Sequence, residues 1–345
     1  MRILLVNPRG FCAGVRMAID VVDQALDVCA GEPIYVYHEI VHNKHVVGRF
    51  RDRGVTFVED VDDVPEGAIV VFSAHGISPQ VRERAQARGL TAIDATCPLV
   101  TKVHMEAIRY AKQGYQILLI GHEDHQEVIG TRGEAPDAIQ VVQTVEDIPN
   151  LTIHDPARLV YLTQTTLSTD DASAIIDALK AVFPAIKSPP KDDICYATTN
   201  RQHAVRQLAP ECDLVLVIGS RNSSNSRRLT EIAENAGCAA RLIDDETDLR
   251  EVRFNGDETV LLTAGASAPE DLVARVCRTL LERHGGDIEL RNLVEEEVDF
   301  DLPMTLKRIM RDKGIDPKDR RIHVTAPHIT ESVYGAVPLT VGQSG

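Results

Sequence analysis

No stretch of this 345-residue chain stays apolar for the roughly 18 residues that a membrane-spanning helix needs. The opening run, Met1-Arg2-Ile3-Leu4-Leu5-Val6-Asn7-Pro8, reads as a short strand stopped by a proline. It lacks the charged region, apolar stretch and cleavage site of an export signal, so a cytoplasmic protein is expected. A basic excess is also missing. Lys and Arg number 37 against 52 Asp and Glu, a formal charge of −15, which argues against a nucleic-acid backbone as the main partner. Seven cysteines are present but no Cys-x-x-Cys pair. Zinc ribbons and thioredoxin-like redox motifs therefore have no support. The odd count and the missing signal speak against a disulfide framework and for free, catalytic or metal-bound thiols. No Walker A motif occurs, which leaves P-loop nucleotide hydrolysis without a basis.

What is there is ample core. Hydrophobic residues make up 43% of the chain, too many for a disordered one, and the length allows two or three domains. Short apolar runs at 34–37, 68–72, 116–120, 159–162, 214–218 and 259–262 read as strands. Helical patterns at 15–29, 79–88, 101–113, 169–182, 201–209, 226–236 and 269–283 alternate with them. Continuous apolar strands between helices imply parallel sheets covered on both faces.

The layout repeats three times. Cys12, Cys97 and Cys195 each stand just before or at the start of a helix. Thirty residues after each lies a polar group: His42 beside Asn43, Glu127 in His125-Gln126-Glu127, and Asn225 in Ser223-Ser224-Asn225-Ser226. A second polar group, at His75, Thr165-Thr166 and Ser267, follows the cysteines by 63, 68 and 72 residues. In open parallel sheets ligands bind beyond the carboxyl ends of the strands. The expected fold is therefore α/β, with three small parallel-sheet lobes in pseudo-threefold arrangement about one central site. The expected divisions are 1–96, with the first strand and the Cys12 loop at the centre, 97–194, and 195–302 with its closing segment. Residues 303–345 form an extension of unknown role.

Thiols at helix starts are favoured as thiolates, and three of them suit zinc or an iron–sulfur cluster. A structural zinc site would want a fourth ligand, and none is suitably placed. Full cluster ligation takes four cysteines; three would leave one iron open as a Lewis acid. Cys29, Cys212, Cys238 and Cys277 read as small core residues. His42, His75 and His125, with Ser223, Ser224, Asn225 and Ser267 ahead of helices, make a set of imidazoles, amides and hydroxyls suited to a phosphate or diphosphate. Glu127 among such groups makes best sense as a proton carrier with a raised pKa, and Thr165 or Thr166 could orient a hydroxyl. His122, Glu123 and Asp124 lie close enough in sequence to be confused with these.

Six segments carry a family resemblance. They are Asn7-Pro-Arg-Gly-Phe-Cys-Ala-Gly-Val15, Ser73-Ala-His-Gly76, Asp94-Ala-Thr-Cys-Pro-Leu-Val-Thr-Lys-Val-His104, Lys191-Asp-Asp-Ile-Cys-Tyr-Ala-Thr-Thr-Asn-Arg201, Gly219-Ser-Arg-Asn-Ser-Ser-Asn-Ser226 and Thr263-Ala-Gly-Ala-Ser-Ala-Pro269. In order along the first 302 residues, they resemble the 4-hydroxy-3-methylbut-2-enyl diphosphate reductases. The resemblance implies three α/β lobes around a [4Fe–4S] cluster with one open iron, held by Cys12, Cys97 and Cys195. It implies diphosphate binding by His42, His75, His125, Ser223, Ser224, Asn225 and Ser267, proton delivery by Glu127, and hydroxyl orientation by Thr165, with Thr166 adjacent. The implied reaction adds two electrons and two protons to an allylic diphosphate, releases water and forms isopentenyl and dimethylallyl diphosphate. It ends the methylerythritol phosphate route to isoprenoids, with electrons from a carrier such as flavodoxin or ferredoxin.

The tail departs from that pattern. From Pro303 onward seven Lys and Arg stand against four Asp and Glu, and a disordered extension is the default expectation. Two other classes compete with the reductase. A quinolinate synthase-like lyase would also use three cysteines and an open iron, on a dicarboxylate and without an electron supply. A non-catalytic metal-binding sensor would not need the convergent His, Ser and Glu127 loops.

Overall fold

The computed structural model describes residues 1–317 and 339–341. The chain runs β1 (Arg2–Asn7), α1 (Ala13–Val28), β2 (Ile34–Tyr37), α2 (Lys44–Asp52), β3 (Thr56–Val58), β4 (Ile69–Phe72), α3 (Pro79–Ala87), β5 (Thr91–Asp94) and α4 (Pro98–Lys112). It continues with β6 (Gln116–Ile120), α5 (Gln126–Glu134), β7 (Ile139–Val142), β8 (Leu159–Thr163), α6 (Thr169–Val182), α7 (Tyr196–Leu208), β9 (Leu214–Ile218) and α8 (Ser224–Asn235). The last elements are β10 (Ala239–Ile243), β11 (Thr259–Ala264), α9 (Glu270–His284), β12 (Asp287–Asn292), α10 (Met304–Asp312) and β13 (Leu339–Val341).

Three separate parallel sheets form, as the alternation of apolar strands and helices predicts. Their orders are β3-β2-β4-β5, β7-β6-β8 and β10-β9-β11-β1-β12-β13. Every residue of β4 and β8 is buried, as expected of strands covered on both faces. The second sheet is extended by a parallel bridge from Val160 to Lys187. With that bridge the sheets share one plan. In each, the order reverses between the two strands that carry the polar loops: β2 and β4, β6 and β8, β9 and β11. That reversal is the place where open α/β sheets bind ligands.

One placement differs from sequence order. β1, grouped above with residues 1–96, pairs with β11 and β12 in the third sheet. Its successor α1 packs instead into the first lobe's core, where Ala18, Val21 and Val22 meet Ile34, Val36 and Ile93. The chain therefore passes from the third sheet to the first lobe at Cys12. It passes from the first sheet to the second lobe at Cys97, since Val103 and Ala107 of α4 pack with Ile117 of β6. Beyond Cys195, Ala204 and Val205 of α7 join the core under β9. All three cysteines lie where the backbone crosses between lobes.

The tail also differs from expectation in its first part. α10 is a packed helix, with Leu306 and Met310 fully buried in the first lobe's core. The Lys313 Nζ that follows donates to Val28 O at 3.0 Å. β13 adds a parallel strand beside β12. Expectations for residues 318–338 and 342–345 lie outside the described residues. No helix among the described residues is long and apolar enough to cross a membrane.

Candidate active site

Each cysteine is the N-cap of the helix that follows it: Cys12 for α1, Cys97 for α4 and Cys195 for α7. Each donates its backbone N–H to a loop at the end of a neighbouring strand. Cys12 bonds Ala266 O at 3.2 Å, Cys97 bonds Ala74 O at 3.0 Å and Cys195 bonds Thr165 O at 3.1 Å. The second polar loop of every lobe is thus tied to one cysteine, which sets thiols and loops around one axis. All thirteen residues singled out from the sequence line a single cavity: Cys12, Cys97, Cys195, His42, His75, His125, Glu127, Thr165, Thr166, Ser223, Ser224, Asn225 and Ser267.

The thiols are free of disulfides and partly accessible. Gly14 shows how tightly they are gathered. A Cβ on it would sit 2.6 Å from Cys97 Sγ and 4.0 Å from Cys12 Sγ, so only glycine leaves that space open. Burial and the neighbouring Cys12 push Cys195 up to about 11, and the same causes push Cys97 up further. Crowded thiols that resist ionisation fit a cationic iron centre, which would favour the thiolates. Among the described residues no three His, Cys, Asp or Glu side chains converge on a single ion. Thr198, which sequence reading missed, places its hydroxyl 3.2 Å from Cys195 Sγ and donates its N–H to the same sulfur at 3.4 Å. Its position three residues beyond an N-cap was the available signal.

The histidines cluster. His42 and His75 stack with centroids 3.9 Å apart, and His125 stands edge-on to His42 at 5.5 Å. Burial, then the neighbouring imidazoles, lowers His125 to about 3 and holds His75 well below the usual histidine range. Both are neutral at physiological pH. The N–H of Glu127 donates to His125 Nδ1 at 3.2 Å, which leaves Nε2 as the protonated nitrogen.

Ser223 caps α8 and accepts from the Ser226 N–H. Ser226 is wedged between two glycines: a Cβ on Gly219 or Gly265 would meet its Oγ at 2.2 or 2.0 Å. Ser224 Oγ donates to Thr166 O at 3.1 Å, and Ser267 Oγ donates to His42 O at 2.9 Å, so two lobe boundaries are bridged inside the site. Neither polar side-chain atom of the buried Asn225 has a protein partner. A buried amide left open on a cavity wall is suited to a polar ligand.

Glu127 is buried, and its carboxylate accepts from the Thr165 N–H at 2.6 Å and from the Thr165 hydroxyl at 3.0 Å. Burial raises it to about 7 against those two hydrogen bonds. The confusable neighbours are elsewhere: Glu123 pairs with Arg132 at the surface, and His122 Nε2 meets Arg228 at 2.8 Å.

This constellation matches known proteins. The family described as LytB protein matches residues 3–281. The 4-hydroxy-3-methylbut-2-enyl diphosphate reductase of Rhodopirellula baltica is 55% identical over 307 residues, 89% of this chain and 96% of that protein. That of Streptomyces coelicolor is 53% identical over 314 residues, 91% and 93% of the two chains. The solved structure of the E-1-hydroxy-2-methyl-but-2-enyl-4-diphosphate reductase from Plasmodium falciparum superposes with a TM-score of 0.87 at 40% identity, covering 90% of this chain and 98% of that one. The chain belongs to the 4-hydroxy-3-methylbut-2-enyl diphosphate reductase (LytB) family. Membership implies an iron–sulfur cluster, an allylic diphosphate substrate and an electron donor. The lyase and sensor alternatives have no counterpart in these relatives.

Proposed function

We propose that this chain converts 4-hydroxy-3-methylbut-2-enyl diphosphate to isopentenyl and dimethylallyl diphosphate on a [4Fe–4S] cluster held by Cys12, Cys97 and Cys195. The observation that carries the assignment of roles is the link from acid to thiol. Glu127 is held by the N–H and hydroxyl of Thr165, whose carbonyl in turn accepts from Cys195. A proton donor is thereby built into the same wall as a cluster ligand. When bound, the cluster supplies electrons and, with three protein ligands, an open iron that polarises the substrate's C–O bond.

The protein's part is positioning and proton supply. His42, His75, His125, Ser223, Ser224, Asn225 and Ser267 hold the diphosphate, so that the allylic hydroxyl faces the thiols. Glu127, kept in part as the acid near neutral pH by its burial, protonates the departing hydroxyl. Thr165 orients that hydroxyl through its bond to Glu127, and Thr166 stands beside it. The C–O bond breaks, two electrons and one proton make a new C–H bond, and the second proton leaves in water. Electrons come from a small carrier, flavodoxin or ferredoxin. The acting units are three lobes divided near Cys97 and Cys195, with β1 in the third sheet and α10 in the first lobe, and the place of action is the cytoplasm, where thiols stay reduced.

The test is turnover under strict anaerobiosis, using reconstituted protein, the substrate and a strong one-electron reductant, with products read by NMR. Both isoprenoid diphosphates are expected. A protein with full iron and sulfide that makes neither would overturn the substrate assignment.

A further inference from the structure

Among the described residues, no lysine or arginine lines the cavity. For a diphosphate site, on which the following inference rests, that is a shortage of positive charge. Backbone N–H groups at helix starts supply part of the compensation, but His75 and His125 are neutral. His42 differs from both in its partner. Its Nδ1 lies 3.4 Å from Glu39 Oε2, a carboxylate three residues earlier in the loop after β2. Glu39 also accepts from Asn222 Nδ2 at 2.7 Å. Asn222 precedes Ser223, so the carboxylate is fixed from the opposite lobe. The bond to His42 and that from Asn222 keep Glu39 below the usual carboxylate range, against the effect of burial.

The contact with Glu39 favours one protonation pattern. A carboxylate at Nδ1 demands a proton there. A neutral His42 would then turn a bare Nε2 lone pair toward the cavity and repel a phosphate oxygen. Only the doubly protonated ring can donate from Nε2. His125 is the reverse case, since the Glu127 N–H occupies its Nδ1 and makes Nε2 a donor while the ring is neutral.

We propose that Glu39 is a positioning residue that holds His42 as the diphosphate pocket's one cation, so that His42 gives the substrate a charge-assisted hydrogen bond that His75 and His125 do not. Of the other charged groups nearby, Arg227 on α8 acts on His125 without lining the cavity. Lys44 and His45 are paired with Asp244 and Asp245 of the third lobe. Arg51 on α2 acts on Glu39, and the cavity's own carboxylate is Glu127. His42 faces Glu39, His75 and His125.

The test uses cluster-loaded enzyme and inorganic diphosphate, with binding followed by anaerobic calorimetry from pH 5.5 to 8. Wild-type affinity is expected to be greater at the acid end of that range than at the alkaline end. Glu39→Gln keeps an acceptor for Asn222 but removes the charge. It is expected to weaken diphosphate about tenfold at neutral pH, to flatten the pH dependence, and to raise KM while leaving kcat at saturation near wild type. Glu39→Asp is expected to restore part of the pH dependence. Wild-type binding and pH dependence in Glu39→Gln would overturn the inference, as would a wild-type protein that does not bind diphosphate. If Glu39-dependent binding is seen but no isoprenoid product forms, the inference stands and the reaction assignment fails.

Discussion

Glu127 shows how one residue's surroundings set its chemistry. A solvated carboxyl would be ionised at neutral pH and useless as an acid. Burial raises this one to about 7, while the Thr165 N–H and hydroxyl keep it hydrogen-bonded in either state. The sign follows directly: the acid form dominates below about pH 7 and is lost above it. Turnover at saturating substrate is therefore expected to decline as pH rises past about 7. Glu127→Gln keeps the shape but cannot release a proton. Its expected outcome is a loss of about 100-fold or more in kcat, with iron, sulfide and substrate binding retained. Near-normal turnover in that variant would remove Glu127 from the proton path.

At the scale of elements, the recurring device is a strand end, a polar loop and a capped helix. α8 begins with Ser223 as its cap, and α5 begins with His125, whose side chain accepts from the Glu127 N–H. Capping and ligand binding draw on the same free N–H groups, so these loops stabilise the helices and line the site at once. α10 is a different kind of element. It adds no residue to the cavity lining, yet its Leu306 and Met310 fill the first lobe's core beside α1. Leu306→Ala and Met310→Ala are each expected to cost about 2–5 kcal/mol, read as a lower urea midpoint with little change in KM. Unchanged unfolding would mean that the helix is dispensable to the lobe.

Across the whole molecule, the lobes are held by side chains that reach between cysteine loops. Arg201 on α7 is almost fully buried; it donates to Gly10 O at 2.8 Å and pairs with Glu296 at 3.0 Å. The N–H of Ala13 donates to Tyr196 OH at 3.2 Å, linking the residues next to Cys12 and Cys195. Lys102 on α4 donates to Lys191 O at 2.9 Å and pairs with Asp193 at the same distance, which ties the helix behind Cys97 to the approach to Cys195. These struts hold three lobes in register around one site. Arg201→Met leaves Gly10 O without that donor and Glu296 without its cation, with Asn200 still donating to Glu296. It is expected to lose about 3–5 kcal/mol of stability and part of the iron and sulfide content. Full cluster content and wild-type unfolding would show that the Cys12 loop is positioned without it.

Much of this was legible in one dimension, and particular elements show why. β2, β6 and β9 have the predicted bounds because their apolar runs are closed by His38, Gly121 and Gly219. α6 starts at the residue after Ser168, whose side chain accepts from the Asp171 N–H. Short edge strands such as β3 and β7, and charged helices such as α2 and α5, were not legible. Their amphipathic signal is brief, and their existence rests on partners distant in sequence.

The thirteen residues that line the cavity could be picked out because chemistry-bearing types recurred at similar offsets from three cysteines. The sequence alone determined that there would be three parallel-sheet units and which side chains their loops would carry, since periodicity and strand ends are local properties. Only the tertiary structure decided that β1 completes the third sheet, that the chain crosses between lobes at each cysteine, and that α10 belongs to the first lobe's core. It alone brought Glu39 and Asn222 together, because strand pairing and interlobe contacts depend on surfaces that meet only when the chain is folded.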